Sequence, residues 1–208
     1  MSEFCVVGGG GHARVLIHGL LKLGHQVHGY TALHDEGNLM GARYLGSDMA
    51  FHEHEAHRPV SAVLGMGKVS VAGPRLARFE QYRARGFRFP AIYTVGAIVH
   101  DDVRAGAGTV ILDGAVVVTG SRLGQACIVN TRATVDHDCE LGNDVHVAPG
   151  ATLSGGVVIG DHCMIGTGAN IIHSVRVCAG CLIGAGATVT RDIVMPGTYV
   201  GVPARRIS

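Results

Sequence analysis

The sequence predicts two folding units, a small α/β domain followed by a parallel β-solenoid. The first 90 residues alternate strand-like and helix-like segments around a glycine loop. Beyond them, every sixth position carries an aliphatic residue or Ala without a gap. These positions are Val99, Ala105, Ile111, Val117, Leu123, Val129, Val135, Leu141, Val147, Leu153, Ile159, Ile165, Ile171, Val177, Ile183 and Val189. A helix repeats about every 3.6 residues and a strand about every two, so only short strands joined by tight turns sustain this period.

Residues 1–90 are predicted to form a truncated Rossmann-like domain. A buried strand at Phe4–Val7 leads into the loop Gly8–Gly11, and a helical pattern follows over 13–23. The other expected elements are strands near 26–30, 62–64 and 88–92 and a helix near 75–85. Alternating strands and helices imply a small parallel sheet.

The glycine loop is a candidate phosphate site. Together with His12 it places backbone N–H groups and a helix N-terminus where a phosphate or diphosphate can bind, although a tight turn without a ligand fits the same residues. NAD is not expected, because Tyr30–Leu33 stands where the second strand would end in an acidic residue. Lys68 faces either a diphosphate or, in the simpler interpretation, solvent.

Residues 91–208 are predicted to form the solenoid, with three hexapeptides to a coil and about five coils between Val99 and Val189. Successive coils are expected to hydrogen-bond about 4.8 Å apart. A second inward column, four residues after the first, holds small or β-branched residues. It consists of Val103, Thr109, Ala115, Ser121, Cys127, Ala133, Cys139, Val145, Ala151, Val157, Cys163, Ala169, Val175, Cys181 and Ala187.

The positions of the cysteines indicate that they pack in the core and take no part in thiol chemistry. Cys127, Cys139, Cys163 and Cys181 occupy the small inward column and are expected to be buried small hydrophobes. Cys5, in a predicted strand, and Cys178 lack the neighbours of an activated thiolate.

Charge and hydropathy exclude two classes of partner. The 17 Lys and Arg residues nearly balance 16 Asp and Glu residues and form no basic run, so nucleic acid is not expected. Membrane binding is not expected either, since no apolar stretch approaches the length of about 18 residues that a span needs. The N-terminus lacks a signal-type pattern, and the expected location is cytoplasmic.

His137 is the candidate catalytic residue. It lies two positions after inward Val135, near a corner of the solenoid, between Asp136 and Asp138. Its unperturbed pKa of about 6.5 suits a general base, and an adjacent carboxylate can orient the ring. The alternative is an exposed corner histidine with two solvating acids. His146 lies half a coil away and can share a site with His137 only across a subunit interface.

Most histidines of the first 90 residues are expected on the surface. They are His18, His25, His28, His34, His52, His54 and His57.

Five segments carry a resemblance to a known family. They are Val6–Ala13; Asn130–Thr131 with Val135–Cys139; His146–Ala151; Leu153–Val157; and Gly201–Arg205. Together they resemble the bacterial sugar acetyltransferases that include UDP-4-amino-sugar N-acetyltransferases, perosamine N-acetyltransferases and sialic-acid O-acetyltransferase-like proteins. The resemblance covers nearly the whole chain. It implies a sugar-nucleotide-binding domain over 1–90 and a left-handed parallel β-helix over 91–208.

The resemblance also implies a homotrimer that binds acetyl-CoA between neighbouring solenoids. His137 would be the general base and Asp138 would orient it, while a backbone N–H near Gly155 stabilises the oxyanion. The implied sugar-nucleotide contacts are Gly10, Gly11, His12, Asn130 and His146. The implied acetyl-CoA contacts are Gly155, Thr167, Gly184, Pro203, Ala204 and Arg205. An 18-residue coil also places Gly155 directly after His137 in one column, which leaves room for the thioester.

The expected activity is N-acetylation of a nucleotide-linked 4-amino-6-deoxy sugar by direct transfer in a ternary complex. Alternatives are O-acetylation of a sialic-acid-like sugar, a non-catalytic sugar-nucleotide scaffold and a metal-dependent lyase. No metal is expected, because His137, His146, His162 and His173 lack the two histidines five positions apart of the hexapeptide-repeat carbonic anhydrases.

Overall fold

The computed structural model describes residues 2–48, 51 and 61–208. His52, His54 and His57, expected on the surface, lie outside this part of the chain. The chain divides into two compact units: one comprises 1–67 and 74–90, and the other comprises 68–73 and 91–208. Residues 68–73 thus belong with the second unit, although they precede position 90. No helix in the described residues is long and apolar enough to cross a membrane.

The first unit contains a four-stranded parallel sheet in the order β3-β2-β1-β4. Its elements are β1 (Glu3–Val7), α1 (Gly11–Lys22), β2 (Gln26–Thr31), β3 (Arg43–Tyr44), β4 (Ser61–Leu64) and α2 (Arg75–Ala84). The inner strand β1 is apolar and fully buried over its last four residues, as a parallel strand covered on both faces requires. The Rossmann-like prediction is confirmed at this level.

The predicted strand over 88–92 is wrong. Arg88 forms only an isolated bridge to Ser61, and Ile92 instead begins the first strand of the second unit. The sequence also gave no sign of β3, because two residues are too few to show a periodic pattern.

The second unit is a left-handed parallel β-helix of three faces. Face A comprises β5 (Ile92–Tyr93), β8 (Val110–Ile111), β11 (Ile128–Val129), β14 (His146–Val147), β17 (Met164–Ile165), β20 (Cys181–Ile183), β22 (Gly197–Val200) and β23 (Arg205–Arg206). Face B comprises β6 (Ile98–Val99), β9 (Val116–Val117), β12 (Thr134–Val135), β15 (Thr152–Leu153), β18 (Asn170–Ile171) and β21 (Thr188–Val189). Face C comprises β7 (Arg104–Ala105), β10 (Arg122–Leu123), β13 (Glu140–Leu141), β16 (Val158–Ile159) and β19 (Arg176–Val177).

The strands of each face pair in parallel register at intervals of one coil, except that β22 and β23 at the end of face A pair antiparallel. Ile128 pairs with His146 and His146 with Met164, so equivalent positions stack along the axis. The interval shortens at the C-terminal end, where Cys181 pairs with Gly197. The regular spacing of one coil between paired strands therefore ends near Val189, which is also where the six-residue repeat of the sequence ends.

The core of the second unit consists of the two predicted inward columns. Cys127, Cys139, Cys163 and Cys181 are fully buried, and the Cys127 thiol donates to the Gly142 carbonyl at 3.1 Å. Burial raises the pKa of Cys139 to about 11, so its thiol stays protonated at neutral pH. The prediction that these cysteines are small buried core residues is confirmed.

Candidate active site

His137 lies on the corner between faces B and C, in the turn from β12 to β13. The next residue, Asp138, has a positive φ of 56°, a conformation in which Asp is enriched. This turn directs both side chains outward, and the His137 side chain is 56% exposed. The corner thus presents an imidazole and a carboxylate to solvent.

The tautomer of His137 follows from its partner. The ring atom Nδ1 lies 2.9 Å from Asp138 Oδ2, and a carboxylate oxygen only accepts a hydrogen bond. Nδ1 therefore carries the proton and, in the neutral ring, Nε2 carries the lone pair. The backbone N–H of His137 donates to Asp136 Oδ1 at 2.7 Å, which fixes the second acid beside it. His137 thus has the protonation pattern of a general base.

The two acids also set the titration of His137. The hydrogen bond that His137 donates to Asp138 is the main cause that raises the pKa of His137, and the negative charges of Asp136 and Asp138 add to it. Partial desolvation opposes them without reversing the shift. The imidazole consequently holds its proton to a higher pH than a free histidine does.

Gly155 is the counterpart of His137 in the next coil, as predicted. A Cβ at this position would stand 2.5 Å from the ring atom Cε1 of His137, so any side chain would displace the imidazole. Among the described residues the backbone N–H of Gly155 has no acceptor. One corner therefore brings together a ring with a basic nitrogen and an unpaired backbone donor.

Two further residues shape this corner, and sequence reasoning missed both. Gly120 precedes Asp138 by one coil, and a Cβ there would stand 3.2 Å from the carboxyl carbon of Asp138. Asp102 Oδ2 accepts from the Gly120 N–H at 2.8 Å and from Thr119 Oγ1 at 2.7 Å, and these bonds lower the pKa of Asp102. The column arithmetic that paired His137 with Gly155 would have found Gly120 as well.

Asn130 and His146 are joined by a hydrogen bond. Asn130 Oδ1 accepts from the Thr131 N–H at 2.8 Å, which turns the amide nitrogen toward His146 Nε2 at 3.0 Å. His146 Nδ1 donates to the Lys68 carbonyl at 2.7 Å. His146 is 7% exposed and both ring nitrogens are engaged, whereas the second N–H of the Asn130 amide faces no acceptor in the described residues.

One copy of the solenoid does not bring all the predicted site residues to one place. Asn130 follows β11 at the corner between faces A and B, and His146 lies in face A. His137 lies on the corner between faces B and C. Among the residues implied to bind acetyl-CoA, Gly155 shares the corner of His137, whereas Thr167 and Gly184 follow β17 and β20 on the corner of Asn130.

The C-terminal residues Pro203, Ala204 and Arg205 lie at the end of the solenoid. The Val202–Pro203 peptide bond is cis, and the Ala204 N–H donates to the Thr188 carbonyl at 2.8 Å. A pocket of about 170 Å³ lies beside them. It is lined by Val189, Thr190, Arg191, Asp192, Ile193, Tyr199, Ala204, Arg205 and Arg206, with three arginines against one acid.

The glycine loop of the first unit has open space beside it. Helix α1 begins at Gly11 with Gly10 as its N-cap, and at neither residue does an atom of the described residues lie within 4 Å of the place where a Cβ would stand. Gly9 is different, because a Cβ there would lie 2.8 Å from Glu36 Cγ. The expected acidic residue is replaced by buried Tyr30, whose hydroxyl donates to Asp35 Oδ1 at 2.7 Å.

Lys68 is buried, so the expectation of a solvated loop lysine is wrong. Its Nζ lies 2.6 Å from Asp144 Oδ2, and the two side chains are 5% and 6% exposed. Asp144 belongs to the solenoid, on the corner between faces C and A, and sequence reasoning did not single it out.

The described residues contain no cluster of three or more His, Cys, Asp or Glu side chains that could hold a metal ion. Sequence reasoning overlooked one cysteine pair. Cys178 and Cys181 are spaced as Cys-x-x-Cys, and their Sγ atoms lie 3.5 Å apart.

Comparison with known proteins places this architecture among the acyltransferases. The family model "Bacterial transferase hexapeptide (six repeats)" matches residues 156–191. No curated protein sequence matches the chain significantly. The solved acetyltransferase domain of PglB from Neisseria gonorrhoeae is 34% identical, with 100% of both chains covered and a TM-score of 0.89. That domain has also been solved in complex with acetyl coenzyme A.

A histidine variant of perosamine N-acetyltransferase from Caulobacter crescentus, solved with CoA and GDP-perosamine, is 30% identical. The match covers 100% of this chain and 98% of that one, with a TM-score of 0.91. WeeI from Acinetobacter baumannii, 23% identical with a TM-score of 0.84 over 99% of this chain and 100% of that one, shares the fold. With two solved relatives at or above 30% identity over at least 98% of their lengths, the chain belongs to the hexapeptide-repeat family of bacterial sugar acetyltransferases.

Proposed function

We propose that this enzyme transfers the acetyl group of acetyl-CoA to the 4-amino group of a nucleotide-linked 4-amino-6-deoxy sugar. The observation that carries the proposal is the corner where His137 Nε2 lies against Gly155, whose N–H meets no acceptor in the part of the chain that the structure describes. The solved relatives bind acetyl coenzyme A in one case and CoA with GDP-perosamine in the other, which supports the donor and the class of acceptor.

The corner supplies what direct transfer requires. The sugar amine attacks the acetyl carbonyl carbon, and His137 Nε2 takes a proton from the amine as the C–N bond forms. The Gly155 N–H donates to the oxyanion of the tetrahedral intermediate, where negative charge develops. Collapse breaks the C–S bond, and the proton on Nε2 passes to the departing CoA thiolate. Asp138 holds Nδ1–H throughout and stabilises the imidazolium.

Asn130 and His146 are proposed to bind the acceptor as a pair. Both ring nitrogens of His146 are bonded within the chain, so the available donor is the second N–H of the Asn130 amide. Asn130 and His137 lie on different corners and His146 lies in face A, so a common site requires a second copy of the chain beside the first. We therefore propose a homotrimer with acetyl-CoA between neighbouring solenoids, in contact with Gly155, Thr167, Gly184 and the segment 203–205.

The sugar nucleotide is proposed to contact Gly10, Gly11 and His12 in the first unit. The open space beside Gly10 and Gly11 and the start of α1 at Gly11 suit a diphosphate, because helix N-terminal N–H groups attract anions.

An acceptor panel tests the proposal. The purified protein is incubated with acetyl-CoA and UDP-, GDP- or dTDP-linked 4-amino sugars, or with free sialic acid, and CoA release is measured. We expect rapid release with one of the amino sugars. Release with sialic acid alone would show O-acetylation, and no release with any acceptor would favour a non-catalytic scaffold.

The acid limb of the pH–rate profile is expected above pH 6.5. His137 must be neutral to accept a proton, and its pKa is raised, so kcat/KM falls as pH falls through this raised value. Asp138→Asn removes the main cause of the shift, so the limb should move to lower pH. Asp136→Asn, which removes a smaller cause, should move it less.

These profiles are measured as kcat/KM for the acceptor between pH 5 and pH 9, a range of about two units on either side of neutrality. A limb that stays in place or moves upward in Asp138→Asn would contradict the assignment of Asp138 as the partner of the base.

A further inference from the structure

A buried ion pair fixes residue 68 to the solenoid. Counted as whole residues, Lys68 and Asp144 are 7% and 4% exposed. The Lys68 ammonium and the Asp144 carboxylate are 2.6 Å apart. His162 Nδ1 lies 3.3 Å from the same carboxylate oxygen, and Lys68 Nζ lies 3.5 Å from the Val71 carbonyl. Buried charges are retained only where they are paired, so this contact anchors Lys68 at one place.

The main chain of Lys68 makes a second contact that reaches the acceptor-binding pair. Its carbonyl accepts the Nδ1–H of His146 at 2.7 Å. A carbonyl oxygen cannot donate, so this contact requires the proton on Nδ1 and leaves a lone pair on Nε2. That lone pair accepts a hydrogen bond from the Asn130 amide nitrogen, Nδ2, at 3.0 Å. The opposite tautomer would place an N–H against an N–H at this contact.

We propose that Lys68 is a positioning residue, whose ion pair with Asp144 holds its carbonyl where it selects the His146 tautomer and thereby orients the Asn130 amide toward the acceptor sugar. The inference rests on the proposed function, in which Asn130 contacts the acceptor. It assigns to Lys68 a role in acceptor affinity and none in proton transfer.

The test uses a variant that removes both charges. Lys68→Met alone would leave Asp144 buried without its cation, which destabilises a protein for reasons unrelated to positioning. Lys68→Met/Asp144→Asn keeps the side-chain volumes and leaves no buried charge at the pair. Val69→Ala is the matched control, because Val69 lies in the same segment and is 86% exposed.

The first readout is the His146 tautomer, measured by long-range ¹H–¹⁵N NMR on the full chain labelled at histidine and assigned with His146→Gln. We expect the Nδ1–H form in the wild type and in Val69→Ala. In the double variant we expect conversion toward Nε2–H, which is the favoured form in water.

The second readout is steady-state kinetics. The double variant should raise the acceptor KM by roughly tenfold, which corresponds to the loss of about one well-oriented hydrogen bond. The acetyl-CoA KM and the acid limb of His137 should stay unchanged. A merely structural role would move all three quantities together.

Two results would overturn the positioning role: a wild-type or double-variant His146 with the tautomer opposite to the one expected, or an acceptor KM within about twofold of wild type despite a converted tautomer. The first result is measured by NMR alone, and the second requires an enzyme that turns over. Failure of the proposed function is a separate outcome, since it appears as a wild-type enzyme without turnover.

Discussion

His137→Ala is expected to lower kcat by several hundredfold, within the range of about 10²–10⁴ that general acid–base catalysis contributes. The variant removes the imidazole that lies against Gly155, while the 56% exposed side chain carries little of the packing. Thermal stability and the acetyl-CoA KM should therefore stay close to wild type. The measurement is steady-state CoA release with the acceptor that the panel identifies.

His173→Ala is the matched control for this variant. His173 lies in the same corner column, two coils after His137, and is likewise exposed. It should retain wild-type kcat. Unchanged turnover in His137→Ala would remove His137 from the mechanism, and an equal loss in both variants would point to a general effect of the corner.

Gly155→Ala is expected to lower kcat by about 10²-fold, because a displacement of roughly 1 Å in a reacting group has an effect of this size. The added methyl group would occupy the position of the His137 ring. The backbone of Gly155 does not have a positive φ, so alanine introduces no conformational strain and the fold should persist. Steady-state kinetics and a thermal melt distinguish the two effects.

The double variant His137→Ala/Gly155→Ala sharpens this test. If the methyl group acts by displacing the imidazole, the double variant should be no slower than His137→Ala alone, since residues that act as a unit are not additive. Gly73→Ala is the control, because a Cβ there meets no atom of the described residues within 4 Å and the backbone of Gly73 does not have a positive φ. Multiplicative losses would show that the methyl group blocks the thioester independently of His137.

The sequence predicted the solenoid and the position of the candidate catalytic corner because both follow from a fixed period. A six-residue repeat places each residue on a face or a corner, so an 18-residue count along the sequence is enough to pair His137 with Gly155. The burial of the inward cysteines followed from the same period. Gly120 was accessible to this arithmetic and was overlooked.

The rest was decided by contacts between segments far apart in the chain. Lys68 and Asp144 are 76 positions apart, and nothing in either neighbourhood shows that a lysine after β4 meets a solenoid corner. The Lys68 carbonyl and the His146 ring are likewise 78 positions apart. The sequence by itself determined the repeat, the family and the candidate base. The tertiary structure alone decided which charge is buried and which tautomer of His146 is required, because both depend on the partners that folding brings together.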